Sequence, residues 1–324
     1  MTTVDPVLDP APGELPRPAQ RPTLYFIGVT TGRSSIRPVF PRWAQALGLG
    51  DVPLVGVDLP LHAPVADYRR IVEFLAADPL SAGALVTTHK IDLYEACAGL
   101  FAEVDPLARL MGEVSCLAKR DGRLVASAKD PISCGLALDT ITPPGHFAGG
   151  DAEVLLLGAG GSAIAISWYL TRPERGADRP ARVVVTDPDP DRLAALQQVH
   201  RDAGTDVPVE CRQVAGPTNE VALAALAPGS LVVNATGLGK DAPGSPLGAD
   251  ARFPAGVLAW DLNYRGDLVF LDQARAAGHV RVHDGWEYFL HGWTQVIAEV
   301  FAVVIPTAGP RFEELGRLAA QVRG

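Results

Sequence analysis

The sequence predicts an α/β protein of two domains, the second built on a doubly wound parallel sheet. Three observations carry that reading. Short Val- and Leu-rich runs alternate with segments of helical spacing along most of the chain. A glycine-rich turn, Gly158-Ala159-Gly160-Gly161, stands between an apolar run and a helical segment. The 324 residues exceed what one domain usually holds, roughly 150 residues.

Order begins at the run from Thr23 to Val29, an apolar strand. The preceding residues 1–21 are Pro-rich and aperiodic, and read as a flexible tail. A loop from Arg33 leads into a helix ending near Leu47, and a second strand covers Pro53 to Asp58. Apolar residues from Val65 to Ala77 recur with helical spacing, and Gly83 to Thr87 reads as a third strand. A hairpin pairs Val114–Lys119 with Arg123–Ser127 around Asp121-Gly122, a favoured two-residue turn. A helix follows from about Pro131 to Ile141. Pro143-Pro144-Gly145 and Gly149-Gly150 break the pattern and mark the entry to the second domain. There, five strands are expected: Ala152–Leu157, Arg182–Asp187, Ser230–Ala235, Gly256–Leu262 and Val280–Val282. The domains are drawn as residues 22–134 completed by 286–324, and residues 135–285.

Composition excludes several classes of function. The net charge is −9 and no run of Lys or Arg occurs, so no nucleic-acid partner is expected. The four cysteines, Cys97, Cys116, Cys134 and Cys211, form no C-x-x-C pair, and no His stands at zinc-finger spacing from them. Free thiols in a cytoplasmic protein and no metal site are expected. The first residues lack a basic and then apolar leader, and no long uncharged apolar stretch occurs, so neither secretion nor a membrane partner is expected.

The fingerprint G-x-G-x-x-G/A is met by Gly158-Ala159-Gly160-Gly161-Ser162-Ala163, after a strand and before a helix. Its glycines permit a tight turn and close approach of a pyrophosphate to backbone N–H groups at the helix start. Asp187 ends the next strand, where a carboxylate accepts hydrogen bonds from the adenosine ribose and repels a 2′-phosphate. NAD is therefore favoured over NADP, the alternative being a glycine-rich turn that binds no dinucleotide. Asn234-Ala235-Thr236 closes a later strand, and its small residues either let the nicotinamide ribose approach or form an ordinary Asn-capped turn.

Lys90 and Asp130 each follow a strand end, the place where α/β folds put chemistry. Hydride transfer between an alcohol and a carbonyl needs a proton donor or base, and a Lys with a carboxylate partner can serve. Against this stands the general exposure of Lys and Asp on protein surfaces.

These residues, in this order, resemble those of shikimate dehydrogenases. The string Glu103-Val104-Asp105-Pro106-Leu107-Ala108, the later Asp121-Gly122-Arg123-Leu124-Val125, and Ser34, His89-Lys90, Asp130, Gly158-Ala159-Gly160-Gly161, Asn234-Ala235-Thr236, Asp284-Gly285 and His291 carry the resemblance over nearly all the chain after residue 22. It implies an N-terminal α/β substrate domain, a C-terminal Rossmann domain, and a final helical segment returning to the first. It implies that Lys90 and Asp130 are the catalytic pair, Asp130 orienting Lys90, and that Gly285 belongs with the cofactor residues.

The departures from the family pattern cluster on polar groups that would meet the substrate. Ile36 stands where a second serine is expected, Val114-Ser115-Cys116 replaces Val-Asn-Thr, and Ala128-Lys129-Asp130 replaces Asn-Thr-Asp. Thr87-Thr88-His89-Lys90 is a shortened Thr-x-Pro-His-Lys, and His291-Gly292-Trp293 stands for His-Gln-Gly. Changing several such groups moves specificity. Candidate substrate residues are therefore Arg33, Ser34, Thr88, Ser115, Tyr264, His291 and Gln295, with Arg37 and Trp286 also considered. Arg33 or Arg37 would clamp an anionic group bidentately, unless both are simply solvated. His291, Gln295 and Glu299 fall at i, i+4, i+8 on one helix face, which either lines the cleft or faces solvent. The expected activity is NAD(P)-dependent oxidation or reduction of an alicyclic hydroxy acid or cyclitol. A genuine shikimate or quinate dehydrogenase and a dinucleotide-binding regulator without turnover are the alternatives. The partner is a small-molecule substrate, and a homodimer remains open.

Overall fold

The computed structural model describes residues 9–240 and 242–323. The chain divides into two compact units, Met1–Lys129 with Gly292–Gly324, and Asp130–His291.

The first unit is built on a six-stranded mixed sheet. Its elements are β1 (Thr23–Gly28), α1 (Ile36–Ala46), β2 (Leu54–Asp58), α2 (Val65–Ala77), β3 (Ser81–Val86), α3 (Lys90–Cys97), β4 (Glu103–Val104), α4 (Pro106–Met111), β5 (Cys116–Arg120) and β6 (Arg123–Ser127). The strand order is β2-β1-β3-β5-β6-β4. β1 pairs in parallel with β2 and β3, whereas β5 runs antiparallel to β3 and β6. Alternation along β1 sends Tyr25 and Ile27 into a core shared with Tyr68, Ile71 and Leu75 of α2 and Leu93 of α3. Phe26 points the other way and meets Trp293 edge-on, with ring centres 4.9 Å apart. α11 (Pro310–Ala320) closes that side, where the Trp43 indole of α1 donates to the Leu315 carbonyl at 2.8 Å. The β5–β6 turn takes the left-handed conformation at both Asp121 (φ 49°) and Gly122 (φ 76°), which matches the twist of the two strands.

Residues 1–8 of the expected tail lie outside the described residues. Residues 9–21 are not loose. Asp9 forms an ion pair with Arg37 and accepts from the Gly56 backbone N–H at 2.7 Å, and Ala19 N–H donates to Asp78 at 2.7 Å. Aperiodic, Pro-rich composition conceals such anchoring because it rests on single polar contacts.

The second unit holds α5 (Asp130–Ile141), β7 (Val154–Leu157), α6 (Gly161–Thr171), β8 (Val183–Asp187), α7 (Pro190–Ala203), β9 (Val209–Gln213), α8 (Thr218–Ala224), β10 (Leu231–Asn234), β11 (Leu258–Asp261), α9 (Val269–Ala276) and β12 (Arg281–His283). Its sheet runs β12-β11-β10-β7-β8-β9 and every pairing is parallel. Strand order reverses between β7 and β10, so the loops after these strands flank a switch point, where doubly wound folds bind their ligands. β9 joins the five expected strands as a sixth. It lies at the sheet edge, half-buried over four of its five residues, and its sequence, Val-Glu-Cys-Arg-Gln, shows no apolar run.

The units divide at 129/130 and 291/292, whereas the sequence placed the breaks at 134/135 and 285/286. α5 belongs with the second unit because it packs directly on α6. Gly135 lies under the Tyr169 ring, where a Cβ would overlap it, and the Tyr169 hydroxyl donates to Asp139 at 2.8 Å. α10 (Trp286–Phe301) begins in the second unit and carries the chain back into the first.

Candidate active site

In the first unit, the sheet delivers its functional candidates at the carboxyl ends of β1 and β3. After β1, Thr31 is held by Asp58, which accepts from its N–H at 2.8 Å and its hydroxyl at 2.6 Å. This brings Arg33 and Ser34 out at the end of a single 3-10 turn, Arg33 exposed and Ser34 half-buried. Arg37 is not presented as a clamp. Its guanidinium pairs with Asp9 and donates to the carbonyls of Leu54 (2.9 Å) and Thr31 (3.3 Å), so it anchors the N-terminal segment instead. Ile36, at the place of the family's second serine, is fully buried.

After β3, Thr88 is exposed and adopts φ 59°, a left-handed conformation that a β-branched residue rarely takes. The strain turns the chain sharply into α3, whose first residue is Lys90. His89 beneath it is buried, with Nδ1 3.1 Å from the Tyr68 hydroxyl and Nε2 3.2 Å from the Leu59 carbonyl. Burial lowers its pKa, so it serves as a neutral brace. Desolvation, reinforced by Asp92, pushes the Tyr68 phenol up to about 12. Lys90 is half-buried, and its carbonyl accepts from Val114 N–H at 3.1 Å, which ties the Lys90 turn to the segment leading to Ser115.

Ser115 is buried, and its hydroxyl oxygen accepts from the Lys129 N–H at 2.7 Å. The Lys129 ammonium in turn lies 3.1 Å from Glu299, whose other oxygen is 2.9 Å from Arg120. The polar stripe expected on α10 is therefore not a solvated face. Glu299 is held in ion pairs, Gln295 is half-buried, and His291 is 2% exposed. Burial drives the His291 pKa down to about 4, leaving the imidazole neutral.

In the second unit, Gly158 follows β7 at φ 104°, and an added Cβ would stand 2.9 Å from the Ala235 carbonyl oxygen. The loops after β7 and β10 thus touch at the switch point. At Gly160, by contrast, a Cβ would meet nothing within 4 Å. That open space lies at the N-terminus of α6, where Gly161 and Ser162 form the first turn. Unmasked backbone beside free helix N–H groups is what a diphosphate requires, so these residues fit a dinucleotide.

Asp187 is engaged by backbone N–H groups from two loops. It is 4% exposed, and its two oxygens accept from Ala159 N–H (2.8 Å) and Asp189 N–H (2.9 Å). The carboxylate braces the glycine loop against the turn after β8. Asn234 is fully buried, accepting from the Thr236 hydroxyl at 2.7 Å and donating to Asp261 at 3.1 Å. It holds its own turn, while Ala235 and Thr236 are more exposed. Desolvation raises the Asp261 pKa to about 6, even though Asn234 and Asn263 favour its ionised form. Gly285 has a packing reason, since a Cβ there would overlap the Leu262 carbonyl. Tyr264 is half-buried in an aromatic cluster, with ring centres 5.3 Å from Trp286 and 5.0 Å from Phe289.

Asp130 opens α5 and is 7% exposed. The Tyr288 hydroxyl of α10 donates to it at 2.9 Å and lies 3.3 Å from the Ser162 hydroxyl. Tyr288 was not among the sequence candidates. The signal was present, because the stripe of His291, Gln295 and Glu299 extended back by one turn reaches it.

Among the described residues no cluster of His, Cys, Asp and Glu could hold a metal ion, and no helix is long and apolar enough to cross a membrane. A mixed-sheet unit joined to a doubly wound parallel unit, with a glycine loop at the switch point, defines the architecture of a two-unit dehydrogenase. No protein-family model matches the chain. It is 34% identical to the shikimate dehydrogenase (NADP(+)) of Symbiobacterium thermophilum over 208 residues, 60% of this chain and 67% of that protein. It is 31% identical to that of Xanthomonas campestris over 263 residues, 79% and 83% of the two chains. Among solved structures, a shikimate dehydrogenase in complex with NADP+ superposes with a TM-score of 0.70 at 16% identity, covering 93% of this chain and 96% of that one. The quinate dehydrogenase of Corynebacterium glutamicum in complex with NAD gives 0.69 at 20% identity, covering 93% and 99%. The chain belongs to the shikimate dehydrogenase family, and it is a nicotinamide-dependent oxidoreductase acting on a CH–OH group.

Proposed function

We propose that the enzyme catalyses reversible hydride transfer between a nicotinamide dinucleotide and a secondary alcohol of an alicyclic hydroxy acid or cyclitol other than shikimate. One observation carries this reading. By the sequence resemblance Lys90 and Asp130 match the family's catalytic pair, while polar groups of the family pattern are replaced or partly engaged within the chain. Ile36 is in the core, the Ser115 hydroxyl oxygen accepts from Lys129 N–H, and Lys129 is paired with Glu299. A substrate site built on hydrogen bonds changes preference when its donors and acceptors change.

A bound nicotinamide dinucleotide supplies the hydride acceptor, and Gly158, Gly160, Gly161 and Ser162 are the residues that would hold its diphosphate. Lys90, as the neutral amine, takes the hydroxyl proton during oxidation and returns it during reduction. Asp130 binds a substrate hydroxyl. Arg33 is the cation on hand for an acidic substituent. Ser34, Thr88, Ser115, Tyr264, His291 and Gln295 complete the proposed substrate set, and Asn234, Ala235, Thr236, Asp187 and Gly285 shape the cofactor side.

NAD is the proposed cofactor. Asp187, Asp189 and Asp191 crowd the turn after β8, and the nearby Arg192 is shared with Asp189 at 3.6 Å. This arrangement opposes a 2′-phosphate. The names of the curated relatives, which specify NADP(+), stand against it.

The test is oxidation of shikimate, quinate and a set of cyclitols with NAD+ and NADP+, followed by reduced-dinucleotide absorbance. Turnover of quinate or a cyclitol above shikimate supports the reading. Strong shikimate oxidation makes the protein an ordinary shikimate dehydrogenase with a rearranged clamp. Dinucleotide binding without turnover on any alcohol makes it a regulator. Lys90→Ala is expected to leave dinucleotide affinity unchanged and lower kcat by at least ~100-fold; an unchanged kcat removes Lys90 from its role.

A further inference from the structure

We propose that Tyr288 is a positioning residue that fixes the Asp130 carboxylate and links it to the dinucleotide loop. The proposal rests on the assignment of Asp130 to the reaction. Tyr288 lies 158 residues from Asp130 in sequence, yet its hydroxyl donates to Asp130 Oδ2 at 2.9 Å. A phenol has one proton. With that proton committed to Asp130, the contact of 3.3 Å to Ser162 must run the other way, the Ser162 hydroxyl donating to Tyr288 Oη. The result is a directed chain, Ser162 to Tyr288 to Asp130, in which each donor polarises the next.

Both ends of the chain are well placed. Ser162 is the second residue of α6, in the turn that carries the glycine fingerprint. Asp130 is the first residue of α5, which Gly135 and Tyr169 lock against α6. Tyr288 itself is steadied by the edge of the buried Trp260 ring, 6.0 Å between centres, and the Trp260 indole donates to the Asp284 carbonyl at 3.2 Å. A carboxylate has two oxygens and rotates about its Cβ–Cγ bond. The Tyr288 bond engages one oxygen and restricts that rotation, so the carboxylate is held in one orientation. A ligand seated on the glycine loop alters the environment of Ser162 first and reaches Asp130 through Tyr288.

Tyr288→Phe tests this, because it keeps the ring and its contact with Trp260 and removes the hydroxyl alone. The probes are quinate and shikimate, each with NAD+ and NADP+. The expected result is a kcat lowered roughly tenfold, the effect of losing one hydrogen bond to a charged group, with dinucleotide Kd and Tm unchanged. Ser162→Ala should lower kcat in the same direction by less, and combining it with Tyr288→Phe should add nothing further, since the chain is already cut. A structural role alone would move Tm and leave the kcat-to-KM split as it was. Tyr288→Phe with wild-type kcat and KM, alongside an inactive Asp130→Asn, overturns the positioning role and leaves the Asp130 assignment intact. An Asp130→Asn variant with full turnover, or an unmodified enzyme inactive on quinate, shikimate and the whole set of cyclitols, removes the assignment and the proposal with it.

Discussion

Acidification should weaken the second unit, and His200 shows why. The residue lies in α7 and is 4% exposed. Ser167 Oγ donates to the Ile164 carbonyl at 3.0 Å, so at the 2.9 Å contact with His200 it accepts, and Nε2 carries the imidazole proton. Nδ1, the atom that would take a second proton, is buried without a hydrogen-bond partner. Desolvation accordingly drops the pKa to about 4 in the folded chain. An unfolded His titrates near ~6.5. Between these values the unfolded state binds more protons, so stability is complete above ~6.5 and falls as pH drops toward the folded value. The gap is worth about 3 kcal/mol, of which about 2 kcal/mol is lost by pH ~5. His291, also depressed to about 4 by burial, acts with the same sign. Asp261 acts with the opposite sign. Its folded pKa of about 6 is raised, so its penalty at neutral pH fades on acidification and returns about 1 kcal/mol by pH ~5. The assay is urea unfolding of the wild type and of His200→Gln, which retains a donor for Ser167, at pH 7 and pH 5. The wild type should lose about 2 kcal/mol more than the variant between the two. Equal losses would refute the claim that His200 is held neutral by burial.

Two further outcomes follow from the geometry. Gly135→Ala should destabilise the second unit by about 2 kcal/mol, because overpacking against the pinned Tyr169 ring outweighs the helix propensity of alanine. Thermal denaturation checks this, and in a Tyr169→Ala background the same change should be neutral or stabilising. Thr88→Gly should raise stability by about 1 kcal/mol through relief of the left-handed conformation, while kcat falls as the turn into Lys90 loosens. Parallel Tm and kcat measurements test it, and a gain in both would show that the strain has no functional part.

Three polar residues of the first unit are engaged within the chain. Arg37 grips Asp9, Lys129 grips Glu299, and Ser115 accepts a backbone N–H. Polar groups tied to their own neighbours must surrender those bonds before they bind anything else.

Local physics was legible from residue order alone. Apolar spacing marks α2 as Val65–Ala77, Asp121-Gly122 marks the β5–β6 turn, and the fingerprint marks the junction of β7 and α6. These features depend on neighbours a few residues apart, so residue order alone carries the α/β class, the glycine turn after β7 and the strand ends that precede Lys90 and Asp130. β4 and β9 escaped notice, since a strand of two residues and a charged edge strand have no periodic signal of their own. What side chains do once placed depends on partners distant in the chain. Folding is what lets Arg37 anchor Asp9, Asp187 brace the glycine loop, the Leu262 carbonyl require Gly285, and Tyr288 reach back to Asp130. A hydrogen bond is made by whichever donor the fold brings to about 3 Å, and no spacing along the chain encodes that distance.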